Sequence, residues 1–316
     1  MKVVSFYRFT TVADTVAMRT DLLAQCEQRK LLGTVLVAEE GVNGTLAGSE
    51  EALQSVFRWL EAELGLTNPI DGRWNDAVEA PFQRMRVRIK KEIVALGRPD
   101  IRPAPDDDTH VGPAEWNELI AKPDTVIVDT RNHYEFEVGT FPNAVDPGTE
   151  SFREFQDFAG ELAADNLDRP LAMFCTGGIR CEKAVALMQE LGCNEVYQLQ
   201  GGILNYLETV PEAENQWQGE CFVFDKRVAV DRDLAEGGYV QCHACRRPLS
   251  SEDLASPDYR EGVSCPRCIG TLEEGRATRL EERRKQVALA QARGEKHIGP
   301  DRKTDHGPDA GSAHDL

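Results

Sequence analysis

The chain reads as an α/β protein in three parts: an N-terminal βαββαβ domain, a central α/β domain with a parallel sheet, and a small Cys-rich C-terminal module. Three observations predict this. Strand-like and helix-like segments alternate through the first 97 residues. In the middle of the chain an apolar run, Pro170 to Phe174, enters the turn Cys175-Thr176-Gly177-Gly178-Ile179-Arg180-Cys181 and leaves it as a helical pattern, the signature of a parallel strand–turn–helix unit. Two Cys-x-x-Cys pairs, Cys242/Cys245 and Cys265/Cys268, stand 19 residues apart near the end. A chain of 316 residues has room for two or three domains. The predicted boundaries are 1–97, a linker with a short helix at 98–120, a central domain at 121–215, the Cys-rich module at 216–270, and a charged helix with a tail at 271–316.

In the first domain, Val3 to Phe9 is apolar and aromatic and suits a strand, and Thr15 to Lys30 has helical spacing at Val16, Leu22, Leu23 and Cys26. Leu32 to Ala38 is β-rich. Asn43-Gly44 reads as a hairpin turn, with Thr45 to Gly48 continuing as strand. Ser49 caps a helix over Glu50 to Leu64 that carries Leu53, Val56, Phe57 and Leu60 on one face. Arg84 to Ile89 closes the series as its last strand. This order is the ferredoxin-like arrangement.

Period-2 alternation in that last strand sends Met85, Val87 and Ile89 to the helix-covered face and Arg84, Arg86, Arg88 and Lys90 to the open one. The row is either a phosphate-contacting surface or a solvated face paired with Glu39, Glu40 or Glu79. Phe6, Tyr7, Phe9 and Phe82 are assigned to the core or to base stacking. The turn Glu39 to Thr45 is either a plain hairpin or a loop reaching the central domain.

Charge narrows the function classes. The formal net charge is −18, which argues against a protein that coats nucleic acid. Residues 1–100 nevertheless hold 13 basic and 14 acidic side chains, against 23 and 40 in the remainder, so a polyanion is expected to meet the first domain. No apolar run reaches the 18 residues of a membrane span. The start, Met1 to Phe9, lacks a signal-peptide h-region and reads as a strand. Nine cysteines, clustered in motifs, point to a reducing cytoplasm.

Cys175 carries the chemistry. A cysteine at a strand-to-helix turn meets converging backbone N–H groups and a helix N-terminus, which favour a thiolate or a bound anion. Gly177 and Gly178 let the backbone curl round the sulfur, and Arg180 is expected as a fixed charge at the rim. The loop is Cys-x4-Arg, one residue tighter than the Cys-x5-Arg of cysteine phosphatases, and suits a terminal sulfur better than a phosphate. Cys181 either resolves a disulfide or persulfide on Cys175 or packs the loop on its helix. Cys26 and Cys193 read as core.

Residues Pro123 to Leu207 resemble a rhodanese domain. The match lies in Val126-Ile127-Val128-Asp129-Thr130-Arg131, in Glu135-Phe136 with Gly139, Phe141 and Ala144, and in Val196 to Ile203 with its Gly201-Gly202 turn. The resemblance implies that Cys175 carries a persulfide and that Asp129 and Arg131 support the domain.

Further on, Glu220 to Val230 reads as a β-ribbon. The doubled Cys-x-x-Cys is a four-thiolate zinc pattern with Cys242, Cys245, Cys265 and Cys268 as ligands; redox pairs or free thiols are the alternatives, and His243 is a spacer or a substitute ligand. Four protein ligands would make the zinc structural. Thr271 to Arg293 is a charged helix whose Arg283-Arg284-Lys285 cluster reads as a solvated face, and 294–316 is expected to be disordered.

Residues 1–270 as a whole resemble the bacterial rhodanese-type tRNA uridine hydroxylases, through Cys175 to Lys183, Gly201-Gly202-Ile203 and Phe222-Val223-Phe224-Asp225. The resemblance implies hydroxylation of the wobble uridine in the tRNA anticodon loop to 5-hydroxyuridine. Molecular oxygen and an unidentified reductant are its implied co-substrates, and Cys175 acts as thiolate or persulfide. No flavin or haem motif is visible, and neither DNA nor membrane is expected as a partner. The alternatives are a sulfurtransferase working through a Cys175 persulfide, which leaves the first domain unexplained, and a non-catalytic scaffold.

Overall fold

The computed structural model describes residues 1–77, 81–103 and 108–293. Glu79 and the tail at 294–316, expected to be an ion-pair partner and disordered respectively, lie outside the described residues. The chain divides into two compact units, residues 1–136 with 141–217 and residues 137–140 with 218–316.

The first unit begins with β1 (Lys2–Phe9), α1 (Thr15–Gln28), β2 (Leu32–Ala38), β3 (Gly41–Gly48), α2 (Glu50–Glu63), β4 (Gly72–Asp76) and β5 (Met85–Ile89). Asp14 caps α1 by accepting from the N–H groups of Val16 and Ala17, and Ser49 caps α2 through Ala52. The sheet order is β4-β1-β3-β2-β5. Val4, Phe6, Val35, Val37 and Leu46 meet Leu22 and Cys26 of α1 and Leu53, Val56, Phe57 and Leu60 of α2 in one core. Each large side chain buried there contributes about 1.5–3 kcal/mol.

Four details differ from the sequence reading. The fourth strand of the βαββαβ motif is Gly72–Asp76, a short polar strand at the β1 edge. Met85–Ile89 is an added fifth strand, parallel to β2 at the opposite edge. The hairpin turn lies at Glu39-Glu40, and Asn43 and Gly44 sit inside β3, opposite Tyr7 and Phe6. Lastly, Ile89, expected on the helix-covered face, is 41% exposed while Val87 is buried.

The chain continues through β6 (His110–Val111), α3 (Pro113–Ile120), β7 (Val126–Asp129), α4 (His133–Phe136) and β8 (Gly139–Thr140), the last belonging to the second unit. Then come α5 (Phe155–Asn166), β9 (Leu171–Phe174), α6 (Ile179–Glu190), β10 (Val196–Leu199) and α7 (Gly202–Thr209). β6, β10, β9 and β7 form a parallel sheet in that order. β7 and β9 are buried along their whole length, as expected of strands covered on both faces. His110 and Val111, read from sequence as linker, thus supply an edge strand.

The second unit holds three short pairings: β8 with β11 (Gln218–Gly219), β12 (Cys221–Phe222) with β13 (Ala229–Val230), and β14 (Val240–Gln241) with β15 (Pro248–Leu249). α8 (Ser251–Ala255) and α9 (Glu274–Ala292) follow. Its small core gathers Cys242, Ala244, Leu249, Cys265 and Cys268, and Arg267 pairs with Glu137.

Candidate active site and four-cysteine cluster

β9 ends at Phe174 and delivers Cys175 to the carboxyl end of the parallel sheet, where α/β proteins place their ligands. Gly178, at φ +97°, turns the chain into α6. Its N–H donates to Cys175 Sγ at 3.1 Å. Cys175 is 1% exposed. Burial pushes its thiol up, but a hydrogen bond from Cys181, the Arg180 guanidinium and the N–H groups of Cys181 and Arg180 outweigh that and bring it down to about 6. Burial and the neighbouring sulfur push Cys181 well up, so Cys181 stays a thiol and Cys175 is the thiolate at neutral pH. Thr130 Oγ1 lies 3.5 Å from Cys181 Sγ.

The floor of the loop is set by the Gly201-Gly202 turn. Ile203 N–H donates to the Cys175 carbonyl at 2.9 Å and Leu204 N–H to that of Thr176 at 3.1 Å. A Cβ on Gly202 would stand 2.5 Å from the Cys175 oxygen, so only glycine lets α7 approach this closely.

Arg180 is not at the rim. It is buried beneath the loop in a bidentate pair with Glu135 at 2.7 and 2.8 Å, with Thr176 Oγ1 at 3.4 Å. Glu135 is held below the usual carboxylate range: burial pushes it up, and Arg180 and Arg131 more than reverse that. Asp129 and Arg131 form a second pair, fully buried, with the guanidinium over the Phe174 and Trp217 rings.

The N-terminal domain grips the first turn of α6. Tyr7 donates to Glu182 at 3.1 Å. Lys183 is wholly buried and donates to Glu40 at 2.9 Å and Glu92 at 2.6 Å. The Glu39-Glu40 turn therefore does reach the α6 that follows the Cys175 loop, and Glu40 is taken by Lys183. Cross-strand pairing puts Tyr7, Asn43, Leu36 and Arg88 in one row on the open face, and Ser5, Thr45, Thr34 and Arg86 in the next. Arg84 and Arg88 are exposed, and Arg86 is half-buried. The basic strand thus shares a sheet face with the tyrosine that touches α6, three strand spacings or about 14 Å away.

Cys181, read from sequence as a resolving thiol or a packing residue, stands beside Cys175. Sequence reasoning missed Glu135 as the partner of Arg180, the carboxylates of Lys183, and Tyr7. The available signal for Tyr7 was its parity: with Val4 and Phe6 facing the helices, Tyr7 and Phe9 fall on the open face and need another partner.

In the second unit the sulfurs of Cys242, Cys245, Cys265 and Cys268 all lie within 4.8 Å of one another. Cys245 and Cys265 are 3.7 Å apart, and Cys265 and Cys268 3.6 Å. Four thiolates 2.3 Å from a tetrahedral zinc would be about 3.8 Å apart, so the cluster fits a metal ion. No disulfide joins the described cysteines. Among the described residues no helix is long and apolar enough to cross a membrane.

A family model described as UPF0176 acylphosphatase like domain matches residues 1–93, and one described as Rhodanese-like domain matches residues 112–209. Over 300 residues the chain is 50% identical to a Mesorhizobium japonicum protein named tRNA uridine(34) hydroxylase, covering 95% of this chain and 97% of the relative. Proteins of the same name from Gluconobacter oxydans (48%, over 95% of this chain and 96% of that one) and Teredinibacter turnerae (47%, over 94% and 92%) are similar at full length.

Proposed function

This chain belongs to the tRNA uridine(34) hydroxylase family, and on that premise we propose that it converts the wobble uridine of tRNA to 5-hydroxyuridine with the Cys175 sulfur as the reacting group. The observation that carries this is a thiolate-stabilising loop placed beside the sheet face that also bears the basic strand. Arg84, Arg86, Arg88 and Lys90 meet the phosphates of the anticodon arm, and the splayed wobble base reaches the Cys175 loop.

Thr176, Gly177, Gly178 and Ile179 shape the cradle, and Arg180 and Cys181 keep the sulfur anionic. Addition of Sγ to uracil C6 moves negative charge onto C5 and O4, making C5 the carbon that meets the oxidant. One oxygen atom of molecular oxygen enters at C5 and the other leaves as water, with two electrons from a reductant and two protons. Loss of the C5 proton and departure of the sulfur with its electron pair from this oxygenated adduct then restore the C5–C6 double bond. The pair Arg180–Glu135 fixes the charge beside the sulfur without rearrangement.

Zinc is the metal we assign to Cys242, Cys245, Cys265 and Cys268. With four protein ligands it supplies folding energy to the second unit and no open coordination position. The reaction belongs in the cytoplasm, where thiols stay reduced.

Purified protein incubated with unmodified tRNA, oxygen and a thiol reductant tests the assignment of Cys175. Wild type forms 5-hydroxyuridine at the wobble position and Cys175→Ser does not. Equal product from both would remove Cys175 from the chemistry. Thiosulfate:cyanide turnover with no 5-hydroxyuridine would favour sulfur transfer.

A further inference from the structure

Tyr7 stands outside the hydrophobic core, on the open face of its sheet, and its phenol is spent on the central domain. It donates to Glu182 Oε1 at 3.1 Å. It also lies against Gly178: a methyl group on that glycine would come 2.9 Å from the phenolic oxygen. Gly178 is the residue whose N–H donates to Cys175 Sγ, and its φ of +97° is one that other residues rarely adopt. The contact therefore runs from β1, through one glycine, to the sulfur.

The groups facing Sγ are Arg180 and Cys181 from α6 and Tyr7 from β1. Those facing Glu182 are Tyr7, His110 of β6 at 3.1 Å and Gln198 of β10 at 3.2 Å. Burial, Glu182 and the Cys175 charge push the Tyr7 phenol well above its ordinary value, so it stays a neutral donor. Glu182 thus has His110 and Gln198 as partners besides the phenol.

We propose that Tyr7 is a positioning residue of the Cys175 centre: by packing on Gly178 and bonding Glu182 it holds the loop N–H groups on the sulfur, so that the N-terminal domain completes the nucleophile. This rests on the reading of Cys175 as the reacting group.

The test is iodoacetamide alkylation of the full-length chain across pH 4.5–9, read at the Cys175 peptide by mass spectrometry, for wild type, Tyr7→Phe and Tyr7→Leu. Tyr7→Phe keeps the ring and removes the hydroxyl. The expected result is a midpoint raised enough to slow alkylation at pH 6 by about three- to tenfold, the share of one hydrogen bond to a charged centre. The KM for tRNA stays unchanged while kcat falls, whatever the lost bond to Glu182 takes from the melting temperature. A role as domain glue alone would lower the melting temperature and leave the midpoint where it was.

Wild-type midpoint and kcat in Tyr7→Phe would overturn the proposal. A shift in Tyr7→Leu alone would assign the effect to the ring and overturn it equally. Failure of the underlying reading looks different: wild-type Cys175 would then react at neutral pH no faster than Cys26, whose thiol burial pushes up to about 12.

Discussion

Replacing Lys183 with Met tests the joint between the N-terminal domain and the loop helix. Lys183 is wholly buried, and its two partners are nearly so: the Glu40 side chain is 1% exposed and that of Glu92 6%. Methionine fills much of the same volume, so the main loss is the charge. Two carboxylates then remain, supported among the described residues by backbone donors: Ile93 on Glu40, and Leu96 and Gly97 on Glu92. Stranding buried charge by removing one partner costs about 3–5 kcal/mol. For a unit of this size each kcal/mol moves the melting temperature by about 2–4 °C, so the expected fall is roughly 6–20 °C by calorimetry. The triple variant Lys183→Met, Glu40→Gln, Glu92→Gln carries no stranded charge, and its amide oxygens still accept from the three N–H groups. It should recover more than half of the loss. A fall under about 3 °C in the single variant, or a triple variant no better than the single one, would refute the reasoning.

The remaining predictions address the loop, the metal and the RNA surface. Gly202→Ala would put a Cβ 2.5–2.8 Å from Cys175 O, Thr176 O and Gly177 N at φ +68°, so it should destabilise the protein by about 1–3 kcal/mol and abolish product formation, checked by calorimetry and nucleoside analysis. Elemental analysis should find one zinc per chain, and a strong chelator should melt the second unit while the first keeps its transition; Cys265→Ser should lose the metal outright. Neutralising Arg84, Arg86 and Arg88 together should raise KM for tRNA, leave Cys175 alkylation untouched, and reduce the slope of log affinity against log salt by about 2. Below pH 6 the Cys175 thiol takes up its proton, so its alkylation should fall about tenfold per pH unit, whereas above pH 7 it should be flat.

What the sequence made legible follows from how local each signal is. The Cys175 loop was readable because a strand, two glycines and a helix start lie within a dozen contiguous residues, and the zinc-type cluster because each knuckle is a local Cys-x-x-Cys. The βαββαβ order was readable too, but not which segment is its fourth strand. Gly72–Asp76 is short, polar and at an edge, while Met85–Ile89 alternates so well that it took the place of its neighbour. Asn43-Gly44 carries a turn signal, yet pairing with β1 keeps it inside a strand and Glu39-Glu40 makes the turn. Arg180 looked like a rim charge because its partner, Glu135, lies 45 residues away on another element. Tyr7, Glu40 and Glu92 reach α6 across 91 to 175 residues of chain, and nothing in their own neighbourhoods announces the contact.

The central claim is that this chain oxidises the wobble uridine with Cys175. Its most direct test is nucleoside mass spectrometry of unmodified tRNA treated with purified wild type or Cys175→Ala under 18O-labelled oxygen and a reductant. The account predicts 5-hydroxyuridine carrying one 18O at the wobble position with wild type and none with the variant. Unlabelled product, or labelled product from Cys175→Ala, would contradict it.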